Sequence, residues 1–164
     1  MNKENKKDKL RIYLDVCCLN RPFDDQVQDR VRLESEAVLA ILSRGQIENW
    51  ILLGSEVIDI EIAKIPDNDR KQNVRFLYSG FLFHIVVDEN IEKRSRELEE
   101  LNFALFDALH IAFAEKGEAD VLLTTDDDFL RRALRNKKAL KVRVENPVRW
   151  LMEAIESESS NIES

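Results

Sequence analysis

Cysteine is almost missing from this chain: 164 residues hold two, Cys17 and Cys18, side by side. Neighbouring cysteines build no disulfide framework, and no second Cys or Cys/His pair completes a structural zinc site. Glycine (4) and proline (3) are scarce, and no low-complexity block or internal repeat appears, which excludes fibrous and disordered classes. No apolar run approaches the ~20 residues of a membrane-spanning helix. The first residues, MNKENKKDK, lack the apolar region of a signal peptide, so a cytoplasmic address is expected. Excess positive charge is also lacking: 25 Lys and Arg face 32 Asp and Glu, a net −7. Such a balance argues against a protein that grips nucleic acid by bulk charge. It is compatible with one whose acids hold metal ions.

What the chain does have is 44% hydrophobic residues in a length suited to one domain. Residues 1–9 and 156–164 read as charged tails, the second one acidic, leaving a folded unit over 10–155. Short runs rich in Ile, Leu and Val at 10–14, 50–53, 82–87, 121–124 and 140–144 predict five strands. Amphipathic stretches near 28–44, 55–65, 68–79, 89–101, 103–116 and 128–136 predict the helices between them, with a last one from Pro147 to about Ile155. The segment from Asn20 to Gln28 reads as the longest irregular insertion. This alternation is that of an α/β fold, a parallel sheet covered by helices on both faces. Ligands in such sheets bind outside the carboxyl ends of the strands.

Acids gather at those ends. Asp15 closes the first strand, RIYLD, and Asp126 follows Thr124 and Thr125 in VLLTTDDDFL. Asp127 and Asp128 can cap the next helix, which leaves Asp126 without an obvious structural role. Glu61 has Val57, Ile58 and Ile65 as helical neighbours, and Asp107 has Phe103, Ala104 and Ile111. Carboxylates on apolar faces need a cation or a hydrogen-bond donor close by. Asp15, Glu61, Asp107 and Asp126 together form an all-oxygen set suited to Mg²⁺ or Mn²⁺ and poorly suited to Zn²⁺. Two such ions activate a water and stabilise the leaving oxygen in phosphodiester hydrolysis. Glu34 and Glu36 also have apolar helical neighbours; pairing with Arg30, Arg32 or another base is the structural alternative, and they stand as reserve candidates.

At these residues the chain resembles the PIN-domain family, which includes the VapC-like ribonuclease toxins. A first strand IYLD ending at Asp15, Ser55 and Glu61 six apart, the block FDALHIAFAEKGEADVLLTTDDDF, and Phe129 after the last acids carry the resemblance. It implies a PIN-like three-layer α/β/α sandwich with a five-stranded parallel sheet. It also implies a Mg²⁺ or Mn²⁺ site matching Asp15, Glu61, Asp107 and Asp126, and endonuclease action on RNA that leaves 5′-phosphate and 3′-hydroxyl ends. Such toxins commonly pair with a small antitoxin protein and often form homodimers. Many PIN proteins carry Ser or Thr soon after the first Asp, where this chain has Val16, Cys17 and Cys18; Thr124 or Thr125 can supply a hydroxyl instead. Asn20 and Arg21 either face a phosphate of the substrate or shape the turn before Pro22, the second being the plainer reading.

His110, one turn after Asp107, reads as a packing residue able to hydrogen-bond that acid, and His84 as a strand residue. Trp50 and Trp150 read as core or interface anchors. Rival functions are a phosphoacceptor receiver domain, with Asp88 ending strand three, and a PIN fold that binds RNA or protein without cutting. A receiver needs an acidic pair after strand one and a Lys after strand five; Val16 and the run VRVENP stand there instead. A haloacid dehalogenase phosphatase would need a second Asp where Cys17 stands.

Overall fold

A computed structural model describes residues 9–47 and 50–163, with side chains through Ser160. The elements run β1 (Leu10–Leu14), α1 (Val16–Asn20), α2 (Asp29–Gln46), β2 (Trp50–Ser55), α3 (Glu56–Ala63), α4 (Asn68–Tyr78), β3 (Phe83–Ile85), α5 (Glu89–Glu100), α6 (Leu105–Lys116), β4 (Val121–Leu123), α7 (Asp127–Arg135), β5 (Arg143–Glu145) and α8 (Pro147–Glu163). All four strand pairings are parallel, in the order β3-β2-β1-β4-β5. The expected five-stranded parallel α/β sandwich is the observed one.

The order explains the layers. From β1 the chain steps outward to β2 and β3, then crosses back to β4 and continues to β5. With right-handed crossovers that reversal places the connecting helices on opposite faces. Accordingly α2 packs on β2 and α8, whereas α6 packs on β4 and α5. The central strands read as unbroken apolar runs because both faces are covered: Ile12, Tyr13 and Leu14 in β1 and Val121, Leu122 and Leu123 in β4 are fully buried. Trp50 and Trp150 meet edge to face, 5.1 Å between ring centroids, and are both core residues. Between β1 and β4 the direction of winding reverses, and their carboxyl ends open the crevice where this class of sheet binds ligands.

Several boundaries differ from expectation, each for a local reason. Val16–Asn20 is a short helix capped by Asp15, followed by a 3-10 turn over Arg21–Phe23, so the expected irregular segment is partly helical. Strand β3 is only three residues long because its partner β2 ends at Ser55, opposite Ile85; Leu82, Val86 and Val87 lie outside the ladder and are exposed. A 3-10 turn at Lys137–Ala139 delays β5 until Arg143. Asn102, with φ 72°, breaks the chain between α5 and α6, so α6 starts at Leu105. Residues 156–163, expected as a tail, extend α8, with Glu158 accepting a hydrogen bond from Arg44 at 2.8 Å. Of the expected N-terminal tail, residues 1–8 lie outside the described residues.

Candidate active site

Asp15 stands where β1 ends, and its own backbone amide donates to Leu123 O (3.1 Å), stitching β1 to β4 at the crevice. Its buried carboxylate caps α1, accepting from Cys18 N at 3.0 Å. Burial nonetheless holds its pKa above the usual carboxylate range, opposed by His110, Thr124 and the Cys18 amide. Thr124 is itself fully buried, and its Oγ1 accepts from Asp126 N (3.1 Å). Thr125 is buried too, but what it offers is its carbonyl, to Arg30 at 3.1 Å.

Asp107, third residue of α6, is half-buried. No hydrogen bond or ion pair reaches its carboxylate among the described residues. Burial, then the charges of Asp15 and Asp126, push its pKa up to about 6. Asp126 is exposed and does have a structural role, because it caps α7, its Oδ1 accepting from Asp128 N (2.9 Å) and Phe129 N (3.3 Å). The caps expected at Asp127 and Asp128 are therefore replaced by Asp126, while Asp127 pairs with Arg30 and Asp128 with Arg131. Glu61, on α3, is half-buried and bonded to Nε2 of His110.

The exposed Cys17 marks where the set gathers. Its thiol pKa is pushed up by Asp15 first, then by burial, then by Asp126, Glu61 and Asp107. All four acids thus act on one side chain at the mouth of the crevice. Oxygen-only donors, mutually repelling and with no Lys or Arg paired to Asp15, Glu61 or Asp107 among the described residues, fit a hard divalent cation by donor chemistry. As the side chains stand, no group of three or more is drawn together closely enough to hold an ion among the described residues. Glu61 Oε1 is bonded to His110 and Asp126 Oδ1 to the α7 amides, and among the described residues these bonds leave the second oxygen of each carboxylate unengaged.

Asn20 and Arg21 have partners inside the protein. Arg21 donates to Glu34 (2.9 Å) and Asp24 (3.2 Å), and Asn20 donates to Val16 O at 3.1 Å and accepts from Arg70 at 3.4 Å. These contacts favour the turn-shaping role over phosphate binding. Glu34, 1% exposed, is neutralised by Arg21 and Arg30 and accepts from Asn146 at 2.6 Å; Glu36 is exposed. Neither belongs to the crevice set. Asp88 caps α5 and pairs with Lys116 at 3.1 Å, which holds its pKa low. That capping role, together with β4 rather than β3 lying beside β1, sets the fold apart from receiver domains, whose strand order is 2-1-3-4-5.

His110 points away from the expected partner. It bonds Glu61 rather than Asp107, and its Nδ1 lies 2.7 Å from the Tyr13 hydroxyl, which lies 2.7 Å from Ser55 Oγ. The sequence signal for this group was a tyrosine in an otherwise unbroken apolar strand, since a buried phenol needs a partner. His84, by contrast, pairs on the surface with Asp59 at 2.6 Å.

A parallel α/β sandwich with its acids at the switch point between β1 and β4 defines a class, and comparison with known proteins names it. The profile of the PIN domain matches residues 12–134, and the chain belongs to that family. Among solved structures, VapBC2 from Rickettsia felis, bound to a DNA fragment from their promoter, is similar at 16% identity. Its TM-score is 0.55, covering 84% of this chain and 98% of that one. PAE2754 from Pyrobaculum aerophilum is similar at 16% identity and a TM-score of 0.52, covering 92% and 94%. Both likenesses are of fold. Among curated proteins none matches the chain in sequence.

Proposed function

We propose that this PIN protein is a metal-dependent endoribonuclease acting through Asp15, Glu61, Asp107 and Asp126. The observation that carries this reading is Asp107: a half-buried carboxylate with no donor among the described residues, repelled by two acids from neighbouring strand ends. A folded protein keeps such a cluster at a cost in stability, which a bound cation offsets. Asp15, Asp107 and Asp126 are the residues that would hold Mg²⁺ or Mn²⁺, with Glu61 beside them. When bound, such an ion makes water more acidic and offsets charge on the phosphate oxygens. Thr124 orients the Asp126 backbone, and the capping bonds of Asp15 and Asp126 fix both to the ends of helices. Water adds to phosphorus and the bond to the 3′ oxygen breaks, leaving 5′-phosphate and 3′-hydroxyl ends.

Unpaired RNA is the favoured substrate because of what flanks the acids. Lys64, three residues beyond Glu61, lies 4.6 Å from the ring centre of Phe106, the residue before Asp107. A cation and an aromatic ring beside the reacting phosphate are the elements that bind single strands. The neighbour from Rickettsia felis supports a small antitoxin protein as partner, and the exposed Leu82, Phe83 and Val86 along the β3 edge offer apolar surface for an antitoxin or a second copy. No helix among the described residues is long and apolar enough to cross a membrane.

The test is to strip the protein of metal and mix it with single-stranded and structured RNAs, with and without Mg²⁺ or Mn²⁺, beside Asp107→Asn. Metal-dependent cleavage that the substitution abolishes is the expected result. Full activity in Asp107→Asn overturns the site. No cleavage, together with no metal-induced rise in Tm, overturns the metal reading as well.

A further inference from the structure

Four side chains behind the crevice are joined in a line that the carboxylate set does not by itself require. Ile58 N donates to Ser55 Oγ (3.3 Å), Ser55 Oγ lies 2.7 Å from the Tyr13 hydroxyl, that hydroxyl lies 2.7 Å from His110 Nδ1, and His110 Nε2 bonds Glu61. Ser55 and Tyr13 are fully buried and His110 nearly so, while Glu61 at the far end is half-buried. They come from four elements: Tyr13 from β1, Ser55 from the end of β2, Glu61 from α3 and His110 from α6. Gly54 leaves the room, since a Cβ there would stand 2.6 Å from the Tyr78 hydroxyl, which accepts from Ser55 N at 3.0 Å.

The carboxylate end sets the direction of the line. A carboxylate oxygen accepts, so Nε2 of His110 is the donor there, and Nδ1, 2.7 Å from the Tyr13 hydroxyl, is the ring nitrogen left to accept. Tyr13 supplies its hydroxyl proton there and accepts in turn from Ser55, whose oxygen accepts from Ile58 N. Every donor and acceptor is matched only if all of them point toward Glu61.

We infer that His110 is a positioning residue: with its proton on Nε2 it anchors Glu61 at the edge of the crevice, and Tyr13 and Ser55 hold it in that tautomer. The inference rests on the nuclease reading for what Glu61 does, and on the hydrogen-bond line alone for how Glu61 is held. Hydrogen-bonded supports of ligating carboxylates matter on the order of 10–100-fold in metal affinity or activity.

Two measurements on the full chain test it. In the metal-free protein at neutral pH, nitrogen-15 NMR of the imidazole is expected to show His110 with a protonated Nε2 and a bare Nδ1. Tyr13→Phe is expected to mix the tautomers. A proton on Nδ1, or on both nitrogens, overturns the inference whether or not any RNA is cut. The second measurement compares His110→Gln, whose amide reaches the Nε2 position, with His110→Asn, whose amide reaches only Nδ1. His110→Gln is expected to keep most of the cleavage rate and of the Mg²⁺-induced rise in Tm, and His110→Asn to lose roughly 10–100-fold in rate and in apparent Mg²⁺ affinity. Equal losses in two folded variants overturn the positioning role. A wild-type protein that cuts nothing overturns the nuclease reading, while the tautomer still decides the line.

Discussion

Two groups of acids lie along the carboxyl edge of this sheet, and they are treated in opposite ways. Glu34 is buried beneath Arg21 and Arg30, with Nη2 of Arg21 at 2.8 Å, Nε of Arg30 at 3.3 Å and the Asn146 amide at 2.6 Å. Every charge there has its opposite. Asp15 and Asp107 are also drawn out of water, yet neither forms an ion pair with Lys or Arg among the described residues, and both have raised pKa values. A buried acid matched by guanidinium groups is part of the scaffold, because breaking the match strands a charge. A buried acid without one leaves room for a cation from solution.

The sharpest way to break this contrast is to neutralise one member of each group. Asp107→Asn is expected to lower RNA cleavage by about three orders of magnitude or more, since charge stabilisation of the reacting phosphate is worth several kcal/mol. Circular dichroism should show an unchanged fold. Glu34→Gln should do the reverse: cleavage at low temperature stays near wild type while Tm falls. Removing one partner of a fully buried pair costs ~3–5 kcal/mol, and because Arg21 and Arg30 reach solvent we expect about 2–3 kcal/mol here, or roughly 4–12 °C by calorimetry. A Glu34→Gln protein that is fully stable but inactive would place Glu34 in the site and erase the distinction.

Why sequence could nominate both groups but not tell them apart follows from geometry. Helical spacing puts Glu34, Glu61 and Asp107 each on an apolar face, and that is all it says. The discriminating partners are far away in the chain: Arg21 and Asn146 for Glu34, and His110, 49 residues from Glu61, for the other group. Strands were legible wherever both faces are covered, as in β1 and β4, because continuous apolar runs have few other uses. They were overdrawn at β3 and β5, where the ladder pairs only three residues with the neighbouring strand, a limit that local pattern does not show. The capping duty of Asp126 was hidden for a similar reason. In a run of three aspartates, which one caps depends on where β4 lets go of its neighbour, and Thr124, bonded to β5 through Glu145 O at 3.0 Å, fixes that point.

A third prediction sharpens the contrast without mutation. If the unmatched group awaits a cation, then Mg²⁺ or Mn²⁺ at about 100 times its Kd should stabilise the folded state by about 2.7 kcal/mol. In a chain of this length that corresponds to roughly 5–11 °C in Tm by differential scanning fluorimetry. The same titration on Asp107→Asn should give a much smaller rise, whereas on Glu34→Gln it should give the full one from a lower starting point. A rise that survives Asp107→Asn unchanged would locate the ion elsewhere.

The smallest expected effect concerns the metal-free protein and has the least intuitive sign. Asp107 has a carboxyl pKa of about 6 in the folded state against an ordinary value of 3.8. Between those values the folded state binds a proton that the unfolded chain releases, so this group's contribution to stability falls as pH rises from about 4 to about 6. Above that window the ionised carboxylate is a net burden on the fold, relieved only when a cation arrives. Asp107→Asn removes the burden, so the variant with the least activity should melt a few degrees above wild type at pH 7.5 in the presence of a chelator. At pH 4 the advantage should vanish, and saturating Mg²⁺ should reverse it. Glu34→Gln provides the control, because an acid already matched by two guanidinium groups yields no gain on being neutralised. If Asp107→Asn instead melts below wild type in chelator at pH 7.5, Asp107 has a fixed partner after all, and the two groups of acids are of one kind.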